Sequence, residues 1–296
     1  MIKRNGGDRA VDGSVFSGYA WYELFGPVWF VGLALLSYLY MKKIVLSHRY
    51  QTTQYHVRYF FSAVIMLYIL KGTPFAVIAD DYVFSAHVLQ LSAMFFVIAP
   101  LLILSLPKDL LNQYFWNHRL KMTMKVLGHP WLTALSFNGL VTVYFIPRVF
   151  NLLQEYTLLL SAAQVILMVN AFLLWWVIIS PVPKVSNLSY LTRVGYIFFT
   201  AALLMPIGIF LLVIQQAHYP VYETVAGEFF PGLTAVYDQQ LAGGILKVIQ
   251  LASYIFALLK IVIAWGKKEE EKEGEVGDKN IRVVQGIPIR LNNKKR

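Results

Sequence analysis

His87, Gln90 at i+3 and Met94 at i+7 place an imidazole, an amide and a thioether on one stripe of a helix. Two acids, Asp80 and Asp81, stand just ahead of them. A second polar stripe opens at Asp238 and Gln239 and continues through Gln240, Gly243, Gly244, Lys247 and Gln250. Shortly upstream of it lie His218, Tyr219, Tyr222 and Glu223. Imidazole and thioether suit Cu(I), and a carboxylate helps to hold Cu(II). The chain has no cysteine, which excludes thiolate metal sites, disulfides and cysteine nucleophiles. Without thiolates, copper would be held moderately, as a carrier that must release its ion requires. The candidate metal ligands are His87, Met94, His218 and Asp238.

Each of these has a plainer role open to it. A histidine near a helix end is commonly a hydrogen-bonded interfacial residue, and a lone methionine commonly packs. An acid opening a helix is a favourable N-cap, so Asp238 fits that role as well as it fits a metal. Gly243 and Gly244 suit a close helix contact. Lys247, about two turns inside, needs an anionic or carbonyl partner. His48, His56, His118 and His129 sit among basic residues that repel a cation, and are set aside. No nucleophile and base form a recognisable motif, so a non-enzymatic role is expected.

The elements that position these residues are membrane spans. Of 296 residues, 57% are hydrophobic and only 14% charged, where a soluble chain carries roughly a quarter. Mean hydropathy is +0.56. The apolar runs approach or exceed the ~20 residues that cross a bilayer as helix. The fold class expected is all-α, a polytopic bundle of seven transmembrane helices. The spans run Leu24–Leu46, Val57–Ala79, Tyr82–Leu106, Trp131–Phe150, Tyr156–Ser180, Leu191–Ile214 and Gln240–Trp265. Lys71-Gly72-Thr73-Pro74 interrupts the second, and a broken helix or re-entrant turn is expected there. Residues 1–23 form an N-terminal segment, 24–265 the membrane domain, and 266–296 a charged tail.

Charge sets the orientation. Lys42, Lys43, Arg49, Arg58, Lys108, Arg119, Lys121, Lys125, Lys184 and Arg193 fall in three alternate loops. The other loops hold Lys71 and Arg148 with Asp80, Asp81, Glu155, Glu223, Glu228 and Asp238. The basic loops belong in the cytoplasm, which puts the N-terminus outside and the C-terminus inside. The net charge of +10 is a topology signal, and no nucleic-acid partner is expected. Trp21, Tyr22, Trp131, Trp175, Trp176 and Trp265 lie near span ends, where rings settle at headgroups. Lys108 to Leu127 mixes Leu110, Leu111, Tyr114, Phe115 and Trp116 with basic residues and reads as an interfacial helix on the inner leaflet. The charged, Gly-rich start reads as no signal peptide. The tail opens KKEEEKEGE, a brief continuation of the last helix before a solvated, largely disordered segment.

Several segments together resemble the caa3-type cytochrome oxidase assembly factors of the Bacillus CtaG type. They are Phe84-Ser85-Ala86-His87-Val88-Leu89-Gln90 with Pro100-Leu101-Leu102, preceded by Lys71-Gly72-Thr73-Pro74. Phe137-Asn138-Gly139, Trp175-Trp176 and Asp238-Gln239-Gln240-Leu241-Ala242-Gly243-Gly244 follow in the family's order. The resemblance covers roughly Phe60 to Trp265. It implies a bacterial plasma-membrane protein needed for active cytochrome c oxidase, through its copper centres, with oxidase subunits as partners. By matching segments it implies roles for His87 and Asp238. The family reads His-Ile-Pro where this chain has Phe145-Ile146-Pro147, so a ligand expected there is missing, and His218 or Met94 would have to compensate. The leading expectation is an assembly factor binding or delivering copper at the outer face. A copper or small-solute transporter and a metal-free scaffold for nascent oxidase subunits are the alternatives.

Overall fold

The computed structural model describes residues 16, 18–47, 49–115, 117–182, 188–223, 227, 230–277, 281–284 and 287–290. His48, Trp116, Lys184, Glu228, most of the N-terminal segment and the end of the tail lie outside the described residues.

Helices build the molecule. They are α1 (Pro27–Val45), α2 (Gln54–Lys71), α3 (Pro74–Tyr82), α4 (Phe84–Leu104), α5 (Lys108–Tyr114), α6 (His118–Leu127), α7 (Pro130–Tyr144), α8 (Pro147–Glu155), α9 (Thr157–Ile179), α10 (Tyr190–Val213) and α11 (Ala235–Gly277). Proline starts α1, α3, α7 and α8, where its missing N–H has no partner to lose. Helices α1, α4, α9, α10 and α11 are each long and apolar enough to cross a membrane. Helix pairs α2–α3 and α7–α8 meet the same requirement only jointly, bent by 54° and 74°. The chain is therefore a multi-pass membrane protein with five candidate spans, or up to seven where each bent pair is one, by length and composition.

The break between α2 and α3 falls at the expected Lys71-Gly72-Thr73-Pro74. Gly72 ends α2 with its N–H on the Tyr68 carbonyl, and a Cβ there would collide with the Tyr68 ring. Thr73 caps α3, its hydroxyl accepting from the Phe75 N–H at 3.3 Å. The second break corrects the straight span expected over Trp131–Phe150. Helix α7 stops at Tyr144 because Pro147 offers no N–H and forces Ile146 into an extended conformation, ψ 124°.

Helix α4 is the hub. Of its best apolar window 67% is buried, against 11% for α1 and 17% for α11. Its middle widens into a π turn, Met94–Ile98, just ahead of Pro100. The Ala99 N–H reaches back five residues to Met94, and Pro100 cannot do the same for the Phe95 carbonyl. The Trp175 indole fills that gap, donating to the Phe95 carbonyl at 2.8 Å. Trp175 and Trp176 are thus buried, 3% and 9% exposed, and not the headgroup anchors expected of them. Trp21, Tyr22, Trp131 and Trp265 are exposed as a headgroup role requires.

Helix α11 lies against α4 and α10. A Cβ on Gly243 would sit 2.8 Å from the Leu212 N and 3.0 Å from the Gly208 carbonyl, so this glycine lets the two backbones meet. Lys247 finds neutral partners, the Gln250 side chain at 2.6 Å and the Ala201 carbonyl at 3.5 Å. Beyond the bundle α11 runs on to Gly277, further than the brief continuation expected. An antiparallel hairpin follows, β1 (Ile281–Val284) with β2 (Ile287–Arg290). The interfacial stretch Lys108 to Leu127 is two helices, α5 and α6, and α6 exposes Met122, Val126 and Leu127 beside its basic residues.

Helix direction sorts the charges. Glu23, Asp80, Asp81, Glu155, Glu223 and Asp238 gather at the end where α4, α9 and α11 begin, here termed the acidic end. Lys42, Lys43, Arg49, Arg58, Lys108, Arg119, Lys121, Lys125 and Arg193 gather at the opposite, basic end.

Candidate functional site

The acidic end carries a buried polar centre around His87. Residues Ile78–Tyr82 form a π turn at the end of α3, and its geometry is held from two sides. The Tyr19 hydroxyl donates to the Asp81 carboxylate at 2.8 Å. The Tyr222 hydroxyl donates to the Ala79 carbonyl at 3.0 Å and reaches the Asp80 carbonyl at 3.4 Å. Burial, reinforced by the Asp80 charge, holds the Tyr222 phenol well above its usual range, so it remains a donor. Strapped this way, the turn brings the Asp80 carboxylate to 3.6 Å from His87 Nδ1. The Asp80 side chain is 47% exposed and His87 entirely buried, so the pair leads from the surface into the bundle.

His87 Nε2 lies 2.9 Å from the Tyr144 hydroxyl, and its Nδ1 has no hydrogen bond. Phe150 meets the imidazole edge-on at 5.5 Å between ring centroids, and Tyr222 flanks it at 6.3 Å. Gln164 lies beside the Tyr144 hydroxyl and accepts from Lys71 Nζ at 3.3 Å. Lys71, Asp80, His87, Tyr144 and Gln164 thus converge from α2, α3, α4, α7 and α9. A neutral imidazole protonated on Nδ1 suits this setting, with the N–H toward Asp80 and Nε2 accepting from Tyr144. The other tautomer frees Nδ1 as a lone-pair donor toward Asp80, with Nε2–H donating to the Tyr144 oxygen.

Asp238 has a different task. It is fully buried, and its Oδ2 accepts from the Phe84 N–H at 2.7 Å while Oδ1 accepts from the Ser85 N–H at 2.9 Å. Val83, at the N-cap of α4, has no side chain able to satisfy those donors. A carboxylate on α11 therefore caps α4 across 154 positions of sequence. The capping role holds, though for another helix than the one Asp238 opens.

His218 and Met94 stand apart from His87. The His218 ring stacks on Phe210 at 5.8 Å, the backbone N–H of His218 donates to the Gln239 side chain at 3.0 Å, and its backbone carbonyl accepts from Asn151 at 3.3 Å. Met94 opens the π turn of α4 within the apolar core, 8% exposed. No group of three or more His, Cys, Asp or Glu able to hold a metal occurs among the described residues. Phe145 is buried in an aromatic cluster with Tyr144, Phe84 and Phe150, and its carbonyl accepts from the Tyr219 hydroxyl at 2.6 Å. The residues facing His87 are Asp80 and Tyr144. Asp80 was visible in sequence as an acid just ahead of the third span, but Tyr144 carried no signal, because its approach depends on the break at Pro147.

Two donors at 3.6 Å, one an unsatisfied buried nitrogen, fit a shared ion about 2 Å from each. Of the expected set His87, Met94, His218 and Asp238, only His87 is part of this pair. No curated protein and no solved structure matches the chain. Its sequence does match the cytochrome c oxidase caa3 assembly factor family over residues 36–268, from within α1 to the part of α11 that leaves the bundle. With the match covering most of its 296 residues, the chain belongs to the cytochrome c oxidase caa3 assembly factor family.

Proposed function

We propose that this protein serves oxidase assembly in the plasma membrane by holding copper in transit at its acidic end, which faces outward. His87 Nδ1 and the Asp80 carboxylate are the donors. The Tyr144 oxygen accepts a hydrogen bond from Nε2–H and so fixes the ligating tautomer, as outer partners of metal-bound histidines do. The observation that carries this reading is a fully buried imidazole nitrogen without a hydrogen bond, facing a carboxylate that is half open to solvent. Two protein donors leave positions for ligands from the receiving oxidase subunit. Lys71, held nearby through Gln164, repels a cation and keeps the hold weak, as cargo requires. The role is a non-catalytic one. Outward orientation of the acidic end rests on the placement of basic loops.

Copper titration of the detergent-purified protein tests this, with His87→Ala and Asp80→Asn beside the wild type. Both variants are expected to retain less copper, and retention unchanged in His87→Ala removes the site. A metal-free scaffold is the second reading. It is favoured by the engagement of Asp238 with two backbone N–H groups and of His218 with Phe210, which leaves the donor set small. Undiminished co-purification with oxidase subunits from metal-depleted cells, together with no copper retention by the wild type, selects the scaffold.

A further inference from the structure

The basic end holds a cavity of about 910 Å³ lined by α1, α2, α4, α5, α6 and α9. Its walls are apolar, with Leu39, Leu106, Leu110, Phe172, Leu173 and Trp176 among them. Lys42, Lys43 and Arg49 stand on its rim, with Ser47 and Tyr50 beside them.

The rim is built and not incidental. Tyr40 stacks flat on Phe60 at 3.8 Å, and its hydroxyl donates to the Ser105 carbonyl at 2.9 Å, pinning the foot of α1. The π turn Met41–Val45 that follows carries both lysines. The next loop is tied to α5 by Tyr50 donating to Gln113 at 3.1 Å and by the Gln51 N–H on Asp109 at 3.3 Å. Arg49 is thereby kept beside the cavity. None of the three cations has an acidic partner among the described residues. A second apolar cleft, of about 460 Å³, offers a contrast: its cations are committed. There Arg193 donates to the Ile178 and Ile179 carbonyls, and Lys260 to the Tyr59 hydroxyl.

We propose that the cavity under Lys42, Lys43 and Arg49 is a binding site for an anionic phospholipid of the bilayer, its acyl chains against the Phe172 and Trp176 walls and its phosphate on the three cations. An apolar chamber of this volume is within the range of small-molecule pockets. Cations without an acidic partner at its mouth, with Lys42 and Arg49 resting over the Tyr38 and Tyr50 rings, select a headgroup of opposite charge at the level of an amphipathic surface helix. The site lies at the opposite end of the bundle from His87.

Native mass spectrometry of the full chain, exposed to phosphatidylglycerol and phosphatidylcholine with identical acyl chains, is the test. The wild type should retain phosphatidylglycerol preferentially, and the Lys42→Gln/Lys43→Gln/Arg49→Gln variant should lose that preference by about tenfold. Arg119→Gln/Lys121→Gln/Lys125→Gln, at α6 positions that do not line the cavity, should keep it. Leu173→Trp, which fills the chamber without touching charge, should expel the retained lipid. Equal retention of both lipids by the wild type overturns the proposal, as does equal loss in the α6 variant. Should the rim variant fail to fold, lipid retention unchanged in Leu173→Trp overturns it too.

Discussion

Asp238 and His87 illustrate how burial separates two residues that look alike in sequence, each a polar group near a helix start. Asp238 is satisfied by two N–H groups of another helix, whereas His87 keeps a nitrogen without a hydrogen bond. Replacing Asp238 with alanine strands two buried donors, and should destabilise the protein by about 1–3 kcal/mol. Asp238→Ser, still able to accept a hydrogen bond, should lose less. Thermal unfolding in detergent measures both, and equal melting of wild type and alanine variant would refute the cap. Tyr144 touches His87 but no proposed donor position. Tyr144→Phe is therefore expected to weaken copper retention by about tenfold while leaving the fold intact. An unchanged titration would deny the tyrosine its role on the tautomer.

Among the elements, the bent pairs matter most. Breaks at Gly72–Thr73 and Phe145–Ile146 end α2 and α7 within the bundle and turn α3 and α8 at the acidic end. Straight helices would carry Asp80 and Tyr144 away from the imidazole. The proline-terminated breaks thus make the polar centre, and the neighbouring tyrosines 19, 219 and 222 tie the freed backbone and side-chain groups. Packing of α10 on α11 is tighter still. Gly243→Val would drive a side chain into the Leu212 backbone and should destabilise by about 1–3 kcal/mol. Gly244→Ala should be neutral, since the nearest atom to its Cβ is Leu212 Cδ2 at 3.8 Å. Melting temperatures that fall equally in the two variants would show that Gly243 is no special contact.

For the whole molecule, charge separation and membrane topology are one question. The chain has no cysteine, so single cysteines report without background. With the basic end inside, a membrane-impermeant maleimide should label Glu155→Cys on intact cells, and Thr123→Cys only after permeabilisation. The opposite pattern would put His87 and Asp80 on the cytoplasmic side and end their role as an outward-facing copper site.

The order and apolarity of the helices, the segregation of charge and the break at Lys71-Gly72-Thr73-Pro74 were legible in the sequence, since they depend on composition and on local proline and glycine chemistry. The family was legible too, through short segments in a fixed order. The second break was less so: Pro147 lies within an apolar run, and hydropathy alone does not register a bend. What only the tertiary structure decided is which groups meet. Trp175 turned inward to satisfy a carbonyl that Pro100 orphaned, Asp238 was spent capping a helix 154 positions away, and His218 settled on Phe210. Each of these is a hydrogen bond or ring contact between separate segments of the fold. Its partner is set by how helices pack around α4, and no spacing along the chain encodes that.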